Sequence, residues 1–129
     1  MGLLLMAHSL IRWLVVAVAL LAAIVCAIAW MRKPETTRDR AVMSAFLGVL
    51  DLQALLGLAL LLWSGFAGTG FPMYRIEHGM TLLIAVAVAH LSARWKRAPS
   101  AIRARNNLLT IMGVCVLVFA GISRLPQGW

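Results

Sequence analysis

Residues 3–31 read LLLMAHSLIRWLVVAVALLAAIVCAIAWM, an apolar run broken only by His8, Ser9 and Arg12. A helix needs about 20 residues to cross roughly 30 Å of hydrocarbon, and this run exceeds that. It is continuous and rich in Leu and Ala. It lacks the alternation of a half-buried strand, so a helix is expected. A secretory signal would carry its charge ahead of the apolar core. Here Arg12 falls inside the run and Arg32-Lys33 follows at once, as a stop-transfer flank does. The run is therefore read as an uncleaved span.

Three further runs follow, at residues 42–65, 73–93 and 107–123. The second contains Asp51 and Gln53, and the third contains Arg75, Glu77, His78 and His90. The fourth has no charge and is at the short limit for a span. Four runs joined by short connections predict one domain over residues 1–129, an all-α, antiparallel, up-down-up-down transmembrane four-helix bundle.

Composition agrees. The chain has 129 residues, of which 63% are hydrophobic and 12% charged. A soluble domain of this size cannot hide so much apolar surface. The net charge of +8 does not point to nucleic acid, because the basic residues are not spread over a face. Arg32, Lys33, Arg38 and Arg40 fall between the first two runs, and Arg94, Lys96, Arg97, Arg103 and Arg105 between the last two. The connection at residues 66–72 is uncharged and Gly-rich. By the positive-inside bias both basic loops are cytoplasmic and both termini lie outside. Trp30 and Trp95 then mark the inner interface, and Trp63 and Trp129 the outer one.

Small residues recur every four positions, as Ala19-Ala23-Ala27 and Ala85-Ala89-Ala93, and are expected to form packing seams between helices. Cys26 and Cys115 are expected to behave as small apolar residues rather than as a disulfide.

Ionisable side chains within spans are costly and each needs a reason. They divide into an outer group, His8, Ser9, Arg12, Arg75, Glu77 and His78, and an inner group, Asp51, Gln53 and His90. His8 and His78 lie early in two parallel spans that are diagonal across a bundle. Two imidazoles at one depth can serve as both axial ligands of a haem iron. Arg12, one turn from His8, can pair with a propionate. The plain alternative is a set of interfacial residues wetted by headgroups. Asp51 falls near mid-membrane and is expected to donate a hydrogen bond, with His90 the best acceptor by depth. Gln53 is about 200° round the helix from Asp51, on the face of Gly57. No Cys-x-x-Cys-His, His-Glu-x-x-His or phosphate-binding glycine loop occurs, so neither covalent haem attachment nor those hydrolytic chemistries are expected.

His8-Ser9-Leu10-Ile11-Arg12-Trp13, with Gln53 and Gly57 in the second run and His78-Gly79 in the third, resembles a bacterial family of small four-span membrane proteins described as cytochrome b-like. The resemblance covers most of the chain in outline. It implies a plasma-membrane haem b site, with His8 and His78 as ligands and Arg12 beside them. It also implies electron exchange with a quinone or a neighbouring redox subunit. Family members tend to have His-x-Gln in span two, where this chain has Asp51-Leu52-Gln53. Carboxylate replaces imidazole poorly at a low-spin haem. Two other function classes are open at this stage. One is a cofactor-free accessory subunit of a larger complex or oligomer. The other is a proton or ion pathway resting on Asp51 and His90.

Overall fold

The computed structural model describes residues 2–32 and 37–126. Lys33, assigned to the first basic loop, and Trp129, assigned to the outer interface, lie outside the described residues. Four helices carry the fold: α1 (Gly2–Arg32), α2 (Arg38–Ser64), α3 (Met73–His90) and α4 (Ser100–Ser123). All four are long and apolar enough to cross a membrane. α1 packs on α2 and α4, and α3 on α4 and α2, which leaves α1 and α3 diagonal. This is the expected antiparallel four-helix bundle. One end holds the start of α1 and the end of α4. The opposite end holds the basic loops.

The core is narrow and built largely from small side chains. Val15, Ala19, Ala22 and Cys26 of α1 meet Met43, Phe46 and Leu50 of α2, Ala85 and Ala89 of α3, and Ile111 and Val114 of α4. The buried seam of α1 is Ala19-Ala22-Cys26-Ala29, not the four-residue stripe expected. A helix turns once in 3.6 residues, so four-residue steps drift round it by about 40° each. Alternating steps of three and four hold one face. Ala85 and Ala89 are buried on α3, whereas Ala93 lies past the end of α3, in a 3-10 turn over Leu91–Trp95, and is exposed. Cys26 is buried and Cys115 faces outward, both as free thiols.

Two helix starts differ from the sequence reading. α2 begins at Arg38 rather than near residue 42, and α4 at Ser100 rather than near 107. Both extra turns contain polar residues that point into the bundle, so hydropathy alone misses them. Asp39 and Arg103 are buried, and Arg103 donates to Asp39 through Nε (2.6 Å) and Nη2 (3.0 Å). Arg103 Nη1 donates to the Ala98 carbonyl at 2.9 Å. Nearby, Trp95 Nε1 donates to Asn107 Oδ1 at 2.8 Å. These bonds tie α2, α4 and the connection between α3 and α4 together at the basic end.

At the other connection α2 widens into a π-type turn over Gly65–Thr69 before the chain reverses. Gly68 (φ 111°) and Gly70 (φ 67°) take left-handed backbone conformations that side chains with a Cβ resist. Arg75 of α3 donates to Ser64 Oγ (3.2 Å) and Thr69 Oγ1 (3.3 Å), clasping this turn to the start of α3.

Candidate functional site

The polar residues regroup in three dimensions. Gln53 leaves the inner group, because α2 runs antiparallel to α1 and presents Gln53 and Gly57 to His8. Gln53 Nε2 donates to His8 Nε2 at 3.4 Å. A Cβ on Gly57 would sit 3.0 Å from His8 Cε1, so glycine at this position gives the imidazole its space. The 200° offset between Asp51 and Gln53 decides this: one faces into the bundle and the other away from it.

His78 sits across the bundle on α3. Its Nδ1–H donates to the Gly121 carbonyl of α4 at 2.9 Å. That bond fixes the tautomer and leaves Nε2 with a free lone pair. A Cβ on Gly121 would fall 2.6 Å from Leu82 Cδ2 and 3.4 Å from Thr81 Cβ, so α4 packs closely on α3 at this level. Arg12 is half-buried one turn below His8, with its guanidinium 5.4 Å from the Trp13 ring centre.

Two atoms of this site stand out. Among the described residues, His8 Nδ1 and Gln53 Oε1 are buried side-chain atoms with no hydrogen-bond partner. Turning the Gln53 amide over offers Oε1 to His8 Nε2–H and still leaves one ring nitrogen unpaired. Stranding a buried polar atom costs about 1–3 kcal/mol, so the arrangement is unfavourable unless something else engages it.

The rest of the expected outer group stands apart. Arg75 serves the turn at residues 64–69, and Glu77 and Ser9 are exposed. In the inner group Asp51 and His90 do meet. His90 Nε2 lies 3.0 Å from Asp51 Oδ1 and 3.2 Å from Oδ2, so the two side chains share the hydrogen bond expected between them. The pair lies on the outer surface of α2 and α3, with side chains 39% exposed for Asp51 and 51% for His90.

The His8–His78 donor set is of a type that a haem iron accepts. It offers two imidazoles from facing helices, one already oriented by a carbonyl on its other nitrogen and the other with a buried, unpartnered ring nitrogen. No group of three or more His, Cys, Asp or Glu able to hold a metal ion by themselves occurs among the described residues. Sequence reasoning placed His8, Arg12 and His78 together. It missed the roles of Gln53 and Gly121 and the Asp39–Arg103 pair. The sequence signals for Gln53 were its shared face with Gly57 and the place of both in the family resemblance. Comparison with protein-family models, curated proteins and solved structures finds no match.

Proposed function

We propose that the protein is a b-type cytochrome-like subunit of the bacterial inner membrane. His8 and His78 would hold the iron of a haem b, and Arg12 would pair with a propionate. Bound haem b supplies one-electron redox chemistry. The chain's own part is to orient the two imidazoles, keep them apart from water and set the charge beside them. The partner in electron exchange would be a quinone or a neighbouring redox subunit. In this reading both termini face outside and the basic loops face the cytoplasm. Two observations support it: the His78–Gly121 bond, which leaves His78 Nε2 with a free lone pair, and the buried His8 Nδ1 without a hydrogen-bond partner.

The test is a reduced-minus-oxidised spectrum of protein made with added haem precursor. An α-band is expected in wild type, with loss in His8→Ala and His78→Ala. Absence of the band in correctly folded wild type ends the proposal.

One observation favours a second reading, a cofactor-free accessory subunit of a larger complex or oligomer. The Asp51–His90 pair faces outward from two apolar helices, where lipid contact is costly and a partner helix would cover it. The same placement lends less support to a proton or ion pathway, because the pair does not line the bundle interior. If the second reading holds, Asp51→Leu/His90→Leu shifts the assembly size in native gels while His8→Ala and His78→Ala leave it unchanged.

A further inference from the structure

At the basic end, a cleft of about 560 Å³ opens between the first turn of α2 and the connection from α3 to α4. Thr37, Arg40, Arg97, Ser100 and Arg103 line it. We propose that this cleft binds the phosphate of an anionic lipid headgroup.

Arg103 is the fixed wall. Its guanidinium gives Nε and Nη2 to Asp39 and Nη1 to the Ala98 carbonyl, so its charge is balanced and its position held. Arg40 and Arg97 are different. Both are exposed, and among the described residues neither has a carboxylate partner. The chain has four acids in all. Asp39 is taken by Arg103, Asp51 by His90 on the outer surface, and Glu77 lies near the opposite end. Glu35 is outside the described residues. Among the described residues the cleft therefore carries net positive charge, from Arg40 and Arg97 on separate segments. Guanidinium matches phosphate geometry and can bind it through two parallel hydrogen bonds.

Two features add to the field. α2 and α4 both begin at the cleft, after Thr37 and Pro99. Their first-turn N–H groups and positive dipole ends face the same region. The level in the bundle selects the source of the phosphate. Trp95 and Trp30, of the residue type that settles at headgroup depth, belong to this same end. Basic clefts between helices at that depth suit anionic headgroups.

The experiment uses the full chain in nanodiscs of phosphatidylcholine doped with phosphatidylglycerol, with retained lipid counted by native mass spectrometry. Wild type is expected to retain phosphatidylglycerol over phosphatidylcholine, and Arg40→Gln/Arg97→Gln to lose that preference by about tenfold. Arg94→Gln/Lys96→Gln removes the same charge nearby but outside the cleft, and is expected to keep most of it. Equal loss in the two double variants would mean that the membrane surface charge acts without a site, and overturns the proposal. So does wild-type retention that ignores headgroup charge. Displacement of the lipid by millimolar inorganic phosphate would assign the cleft to the free ion and overturn the lipid assignment. Circular dichroism of each variant confirms the fold, which the two exposed arginines are not expected to affect.

Discussion

At the basic end, Arg103 places three of its donor nitrogens on Asp39 and Ala98, and Asn107 holds the Trp95 indole. At the terminus end, the His8 ring and the Gln53 amide share one long contact and leave His8 Nδ1 and Gln53 Oε1 buried without a partner. Both regions put polar groups into an apolar bundle, where each such group costs free energy unless bonded. The basic end has solved that problem internally. The terminus end has solved it only in part, through His78 and Gly121. A complete network is what a structural clasp needs. An incomplete one is what a binding site has before its ligand arrives.

The largest effect that would break this contrast belongs to the clasp. Asp39→Ala strands a buried guanidinium, and Arg103→Met strands a buried carboxylate. Each is expected to cost about 3–5 kcal/mol in reversible unfolding, with much of the loss recovered in Asp39→Leu/Arg103→Met. If the single variants unfold like wild type, the pair is not a clasp. By the same logic His8→Leu should cost less than the clasp variants, about 1–3 kcal/mol, because it leaves only the neutral Gln53 amide without its contact. A loss as large as that of Asp39→Ala would show that His8 supports the fold rather than a ligand.

How much of this could be read beforehand depends on what hydropathy registers. Residues 3–31 announce a spanning helix because every turn of it is apolar, and the number and order of helices followed from four such runs. The starts of α2 and α4 could not be read the same way. Asp39 and Arg103 count as loop charges in a hydropathy window, yet together they form a compact neutral unit that a helix can bury. Their partnership spans 64 positions, and no local pattern encodes it. His8 and Arg12 were legible through their i, i+4 spacing. The Gln53–His8 contact depended on how far α1 and α2 slide past each other, which only packing sets.

Gly57 sharpens the comparison at intermediate scale. Ala is favoured over Gly inside a helix by about 1 kcal/mol. In wild type a Gly57 Cβ meets His8 Cε1 at 3.0 Å, so the ring must give way and that gain is expected to vanish. In a His8→Ala background the space is open, and Gly57→Ala should stabilise by up to about 1 kcal/mol. A double-mutant cycle measures the coupling directly, and additive single effects would mean that the two residues do not touch.

The smallest expected effect belongs to Asp51, which fits neither end. It has a partner in His90, as in the clasp, but the pair faces outward, where its worth depends on what surrounds it. Asn at position 51 keeps an acceptor for His90 Nε2–H and has a similar shape, so Asp51→Asn should shift stability by less than about 1 kcal/mol. Leu removes the acceptor. In water-exposed detergent micelles His90 can turn to solvent, and Asp51→Leu should also cost little, as exposed pairs are worth about 0–1 kcal/mol. In a bilayer the stranded imidazole has no water to turn to, and the cost should rise to about 1–3 kcal/mol. Unfolding Asp51→Leu in detergent and in bilayers therefore reads the pair's surroundings. Equal costs in the two media would mean that His90 keeps access to water or to a covering partner, and that the apolar surroundings of the pair do not set its worth.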